Sequence, residues 1–482
     1  MQSVTTTIPA TGKRESFFQN VSPVALKFVQ IFVLAFSLWY FFKPAVVSDQ
    51  AWLLFVIFVS NIVAIILKPL PMGALSLLAI SILTATKTLT LSTILQGFSN
   101  DLIWLIVMAC FLARSFIKTG LGKRIAYAFV AFFGGSPLGL SYGLLLSSAA
   151  MSPLIPSATA RSGGILLPVL ESLIRAVDGK GTNVAKLLTL TVFHGSVITS
   201  AMFVTANAGN PIIVKFAKNL GVDISWGTWT LVALVPAVIS LIFLPLLLRL
   251  FIPCSIENSE KIRTHAKEEL SSMGKISRKE GNTLSIFGLL LLLWSCGGFF
   301  GIHPTEAAFF GVALLLVMNV LNWKDILNEE MAWDTFFWMA TLVMMASELQ
   351  SLGVVNYFTS QIVQFIPTSS WQLSLFILSI IYFYSHYFFA STTAHLSSMY
   401  GPFLLVSITA GAPPLIAALA LGFISNLFGG LTHYSSGPAP ILYAQGHVDI
   451  KMWWKMGLIT SIFYIVVWLG IGSIWCKCLN LY

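Results

Sequence analysis

The sequence predicts an all-α polytopic membrane protein of about eleven transmembrane helices, built around two inverted repeats that each hold a re-entrant hairpin and a broken helix. Three observations predict it. Of 482 residues, 57% are hydrophobic and 9% charged, with a mean hydropathy of +0.86; a water-facing domain carries nearer a quarter charged residues. Ser157-Ala158-Thr159-Ala160-Arg161, with Pro168 beyond, is echoed by Ser391-Thr392-Thr393-Ala394-His395, with Pro402 beyond. Each echo stands beside glycine- and proline-rich sequence that no continuous helix survives.

Taken in order, residues 1–27 are Thr/Ser-rich with Lys13 and Arg14, carry no cleavable signal pattern, and are expected to be cytoplasmic. Apolar runs in 28–97, such as Phe28–Phe42 and Trp52–Leu67, supply the first scaffold spans. The first repeat unit covers 98–222, with its hairpin at about 139–177 and its broken helix at about 184–220. Linking spans fill 223–332 around a charged cytoplasmic loop at 256–282. The second unit covers 333–447, with its hairpin at about 372–409 and its broken helix at about 412–445, and 448–482 forms the last span. Asp101 and Gly120 match Asp334 and Gly353 at an offset of 233, and Ser157, Thr159 and Pro168 match Ser391, Thr393 and Pro402 at 234. Thr205 and Pro211 match Thr432 and Pro438 at 227, so the second unit is shorter between hairpin and break. An odd number of spans separates the two unit starts, which makes the units antiparallel in the membrane.

Net charge is +9, and most of the 27 Lys+Arg fall on the N-terminal side, including Lys123, Arg124, Lys186, Lys451 and Lys455. That asymmetry fixes orientation and leaves no basic patch for nucleic acid. The five cysteines form no CxxC pair and read as small core residues. Trp52, Trp226, Trp229, Trp453 and Trp454 sit at span ends and are expected in the interfacial belt. Asp101 and Asp334 are expected to cap helices. An embedded enzyme would need an acidic Mg²⁺ cluster, an HExxH motif or a nucleophile–base pair, and none occurs, so no enzymatic activity is expected.

The hairpins follow from chain geometry. Ser152-Pro153 and Pro156-Ser157 interrupt an apolar stretch whose arms are each too short to cross about 30 Å of hydrocarbon. Irregular backbone at that depth must be buried in protein or line a wet cavity. Hydroxyls and N–H groups at helix N-termini suit a carboxylate taken out of water, so Ser157, Thr159, Ser391 and Thr393 are the candidate substrate contacts. Arg161 and His395 occupy equivalent places two residues past each Thr. Arg161 either holds anionic charge or steadies the tip; His395 either donates a hydrogen bond, titrates, or is a satisfied core histidine. Thr432 and Pro438 in the second break join the substrate set. Freed backbone and side-chain oxygens at Ser157, Thr205, Asn207, Gly209, Ser391, Asn426 and Gly430 are candidate ion contacts. No other metal site or cofactor is expected, and a sodium ion stays open.

The two tip sequences, Gly163-Gly164, Met399 and the stretch Leu431-Thr432-His433-Tyr434-Ser435-Ser436-Gly437-Pro438-Ala439-Pro440 together resemble the divalent anion:sodium symporter family, from about residue 45 onward. Within it the chain is most similar to 2-oxoglutarate/malate translocators and citrate/succinate and tartrate/succinate antiporters. The resemblance implies a homodimer in the lipid bilayer, a fixed scaffold, and a mobile domain that works by elevator-type alternating access on dicarboxylates. In that family each tip carries Ser-Asn-Thr, which contacts carboxylate and sodium. Here Ala158 and Thr392 replace the Asn, removing an oxygen ligand and a donor pair at each tip. The expectation is a sodium-independent exchanger of dicarboxylates such as 2-oxoglutarate and malate, with a sodium-coupled symporter as the alternative. The expected location is a cell inner membrane, or alternatively the plastid inner envelope.

Overall fold

A computed structural model describes residues 22–177, 182–254, 257–354, 357, 370–389 and 391–482. Most of the predicted N-terminal segment, 1–21, therefore lies outside the described residues, as do Lys180 and residue 256 at the start of the charged loop. Among the described residues the regular secondary structure is all helix. The chain opens with α1 (Pro23–Phe41), α2 (Asp49–Leu67), α3 (Met72–Ala85), the short α4 (Leu91–Gln96) and α5 (Asp101–Thr119). Chain order continues with α6 (Leu121–Phe133), α7 (Pro137–Met151), α8 (Leu167–Arg175), α9 (Asn183–Met202), α10 (Gly209–Asn219) and α11 (Trp226–Phe251). Then come α12 (Glu257–Ser272), α13 (Arg278–Cys296), α14 (Pro304–Val317), α15 (Trp323–Leu327) and α16 (Glu330–Ser351). The remainder is α17 (Trp371–Tyr384), α18 (Thr392–Thr409), α19 (Pro414–Leu427), α20 (Pro438–Tyr443), α21 (Ile450–Tyr464) and α22 (Gly472–Cys478).

Among the described residues, six helical stretches are long and apolar enough to cross a bilayer alone: α1, α2, α5, α9, α11 and Ile450–Cys478. The other expected crossings are shorter, broken or charged at one end. Breaks fall where the sequence removes backbone donors or offers competing side chains. Asn100 starts α5 by accepting from Leu102 N, and Gly120 ends it in the left-handed region at φ +78°. Its repeat mate Gly353 follows the end of α16 with the same φ, +78°. Matched positions thus carry matched backbone, which ties the repeat to structure. The charged loop is largely helical as α12, and α13 begins inside it with a Ser277/Glu280 capping box.

Two packing groups matter for the site. α3 lies along α16, which also touches α2, α4 and α5, and α5 packs on α14. Opposite them, α7 packs on α9, while α18 and α19 pack together and against α10. The tryptophan expectation needs correction. Trp229 and Trp453 are fully buried and Trp52 is nearly so, with Trp229 Nε1 donating to Ala201 O at 2.9 Å. Their position at span ends does not make them lipid-facing, because neighbouring helices cover those ends. Trp454 is exposed, as a belt residue would be.

Candidate functional site: two hairpin tips facing one cavity

Both predicted hairpins are present. The first descends as α7, turns through 152–157, and returns through wide π-helical turns at Ala160–Leu166 into α8. The second descends as α17, tightens at Ser385–Phe388, and returns as α18. At the tips the two copies do the same thing. Ser157 Oγ accepts from Ala160 N at 3.1 Å, and Ser391 Oγ accepts from Ala394 N at 3.3 Å. Arg161 N donates to Ser157 O at 3.0 Å, and His395 N donates to Ser391 O at 3.1 Å. Each serine is therefore the N-cap of its returning arm, a role that by itself contributes about 1 kcal/mol. Each also leaves the following N–H groups and the Thr hydroxyl at the mouth of a helix, where an anion is favoured.

The broken helices hold the tips in place. α9 stops at Met202, the chain runs extended at Phe203 and Asn207, and α10 restarts at Gly209. Ala208 N donates to Pro156 O at 2.8 Å and Thr205 Oγ1 donates to Pro153 O at 2.7 Å, which fastens the first tip to the first break. Three asparagines join the two breaks: Asn207 Nδ2 donates to Asn426 Oδ1 at 2.6 Å, and Asn426 Nδ2 to Asn210 Oδ1 at 2.7 Å. Asn210 Nδ2 closes the chain on Ser200 O and Phe203 O, both at 2.8 Å. Each amide oxygen in the chain already accepts an N–H, since Asn207 Oδ1 takes Gly209 N at 3.2 Å. In the second break, Ser435 Oγ is hydrogen-bonded to Gly429 O at 2.6 Å and accepts from Thr432 N at 3.2 Å.

A cavity of about 510 Å³ opens between the tips and the α3/α5/α16 wall. Ser157, Thr159, Ser391 and Thr393 all line it, together with Asn207, Asn426 and Pro438. Residues 234 apart in sequence thus share one space. It lies toward the end of the bundle where Lys118 pairs with Asp325 at 2.5 Å, because Met331, Asp334 and Thr335 line it from the first turns of α16. Gly437 is what lets the first tip fit: a Cβ there would collide with Thr159 Oγ1.

The other predicted residues sit behind this wall. Arg161 is fully buried; its Nη1 donates to Ile155 O and, at 2.6 Å, to Ala206 O, and its Nη2 donates to Ser200 Oγ at 2.9 Å. The guanidinium is turned away from the cavity, in the geometry of a tip brace, and makes no ion pair among the described residues. His395 is fully buried as well, with Nε2 at 3.0 Å from Ser385 Oγ and Nδ1 at 3.0 Å from Nδ1 of His386. Since His386 Nε2 faces Ser435 O at 2.7 Å and must donate to it, its Nδ1 is the acceptor and His395 Nδ1 the donor. Thr205, Gly209, Thr432 and Gly430 lie in the breaks and shape them without reaching the cavity wall.

Sequence reading missed the opposite wall. Lys68, Met72, Cys110, Asp334, Thr335 and Trp338 line the cavity, and none belongs to a hairpin or break. Asp334 is a cap as expected, but for another helix: its Oδ1 accepts from Gly73 N at 2.7 Å, at the start of α3. The only signal for this wall was the repeat match between Asp334 and Asp101.

Comparison with known proteins agrees with this architecture. Residues 24–482 match the family described as the sodium:sulfate symporter transmembrane region. The chain is 45% identical to a putative malate transporter, YflS, of Bacillus subtilis (strain 168), over 95% of this chain and 98% of that protein. It is 43% identical to the chloroplastic dicarboxylate transporter 1 of Spinacia oleracea, over 92% of this chain and 80% of that one. It is 28% identical to the L-tartrate/succinate antiporter of Escherichia coli (strain K12), over 90% and 94% of the two chains. The crystal structure of the Alcanivorax borkumensis YdaH transporter shares the fold at a TM-score of 0.55 and 11% identity, over 80% of this chain and 87% of that one. With its paired tips, its broken helices and a family match running from α1 to the C-terminus, the chain belongs to the sodium:sulfate symporter transmembrane-region family, also known as the divalent anion:sodium symporters.

Proposed function

We propose that this protein is a secondary transporter that exchanges dicarboxylates of the 2-oxoglutarate and malate type by alternating access. The observation that carries the reading is a buried guanidinium, Arg161, without an acidic partner among the described residues, directly behind a cavity lined by the Ser157, Thr159, Ser391, Thr392 and Thr393 hydroxyls of two helix mouths. A buried cation lacking a counter-charge is costly, and a bound dianion is the counter-charge that compensates it. Arg161 acts through the tip it braces. Each tip holds one carboxylate with its Ser and Thr hydroxyls and first N–H groups, and Asn207 and Asn426 lie between them. The names of the malate, dicarboxylate and tartrate/succinate relatives point to the same substrate class.

The donor set supports exchange without sodium. The tips lack an amide at Ala158 and Thr392, and the oxygens of the asparagine chain already serve as acceptors. The basic side of the bundle, cytoplasmic by the positive-inside rule, includes Lys118 and Lys123. The cavity lies toward that side, which corresponds to an inward-facing arrangement. The protein resides in a cell inner membrane and works as a homodimer of such units. The test is efflux of labelled malate from proteoliposomes, with 2-oxoglutarate outside or absent, with and without sodium. Efflux that requires external 2-oxoglutarate and ignores sodium is expected. Sodium-driven net flux without a counter-substrate would make the protein a symporter instead.

A further inference from the structure

The hairpin tips and helix breaks show the cavity hydroxyls, amides and the Tyr434 phenol, but no charged side chain. Its charged lining residues both come from the opposite wall, Lys68 and Asp334. Asp334 is engaged by the α3 N-terminus through Gly73 N at 2.7 Å. Lys68 is not comparably engaged. Its carbonyl accepts from Lys27 Nζ at 3.4 Å, but its own ammonium has no hydrogen bond or ion pair among the described residues.

The backbone that carries it is fixed. Lys68 closes α2 in the left-handed region, at φ 49° and ψ 57°, with its N–H bonded to Ala64 O at 2.8 Å. Pro69 and Pro71 follow, and α3 starts at Met72. Left-handed backbone strains a lysine where glycine would sit freely, and two prolines stiffen the turn beyond it. A strained, rigid turn thus holds a solvated ammonium at the rim of an anion cavity. This turn joins α2 to α3 and belongs to neither hairpin, so alternating access that moves the tips would leave it with the wall.

We propose that Lys68 lends positive charge to the bound dicarboxylate from the stationary wall, and does so only while the tips stand at this level. It then tightens substrate binding on the cytoplasmic face and leaves the opposite face untouched. This inference rests on the dicarboxylate-exchange reading. Because Lys68 is exposed, the attraction is modest and salt-screened, worth roughly three- to fivefold in half-saturation.

The test uses right-side-out and everted membrane vesicles preloaded with malate, with half-saturation measured on each face for the wild type, Lys68→Asn, Lys68→Arg and the Lys68→Asn/Asp334→Asn pair. Asparagine tolerates the left-handed region, so this variant removes the charge without adding strain. Lys68→Asn is expected to raise half-saturation on the cytoplasmic face by roughly three- to fivefold at low salt, with no change on the other face. Lys68→Arg should restore it, and the difference should shrink in high salt. An equal rise on both faces, no rise on either, or full rescue by Asp334→Asn would overturn the proposal; rescue would mean that Lys68 merely balances that carboxylate. Wild-type vesicles that fail to exchange dicarboxylates would sink the functional reading itself. Normal wild-type exchange with unmoved Lys68→Asn kinetics would sink this inference alone.

Discussion

The two hairpin tips share a cap and differ in what stands behind it. Ser157 and Ser391 close their returning arms with the same bond at the same offset. Two residues beyond each Thr, one copy places an arginine that crosses to two carbonyls and a serine, while the other places a histidine in a chain of neutral hydrogen bonds. The first returning arm widens into π-helical turns over Ala160–Leu166, and the second runs on as α-helix through Pro402. Duplication has kept the serine cap and let the groups behind it diverge. One tip carries a permanent charge; the other carries polarity set by a tautomer.

The largest expected effect falls on the charged tip. Arg161→Gln removes three hydrogen bonds from a charged donor, and is expected to cost about 3 kcal/mol of stability and abolish exchange. Thermal unfolding in detergent alongside exchange rates would show both. His395→Gln, at the equivalent place, should cost about 1 kcal/mol, since it disturbs neutral bonds only. Equal losses at the two positions would break the contrast.

A second pair of variants probes fit in place of charge. Gly437→Ala drives a Cβ into Thr159 Oγ1 and should displace the first tip, raising half-saturation for malate by at least about tenfold, the equivalent of 1.4 kcal/mol. Gly429→Ala meets Thr392 Cγ2 and Ser436 Cβ at 3.2 Å, a contact that small shifts can absorb, so its effect should be several times smaller. Uptake kinetics in whole membranes would rank them. On stability the two caps are expected to agree: Ser157→Ala and Ser391→Ala should each cost about 1 kcal/mol and match one another. A clear mismatch in unfolding midpoint would mean the two caps are not equivalent.

Local chemistry made much of this legible in sequence. Clustered prolines and serines interrupt the first hairpin at 152–157, and the repeat marks the second, so the predicted hairpins at 139–177 and 372–409 differ from the helix limits, Pro137–Arg175 and Trp371–Thr409, by no more than two residues. The tip hydroxyls could be named because the repeat marked them. Partners across the fold could not. Nothing near Asp334 announces that it caps α3 from 261 residues away, and the turn at Lys68 carries no periodic signal that it borders a cavity. The direction taken by Arg161 depends on carbonyls at Ile155 and Ala206, which are freed by two different breaks. Trp229 and Trp453 read as interfacial because flanking residues do not reveal which helix end another helix will cover.

The central claim is that both tips grip one dicarboxylate, and a double-mutant cycle on malate affinity tests it most directly. Calorimetry on the purified protein would give Kd for the wild type, Ser157→Ala, Ser391→Ala and the double variant. If both hydroxyls hold the same small ligand, each single change weakens binding and the pair departs from additivity by more than about 0.5 kcal/mol. Unchanged Kd in the single variants, with stability alone reduced, would contradict the account and leave both serines as helix caps.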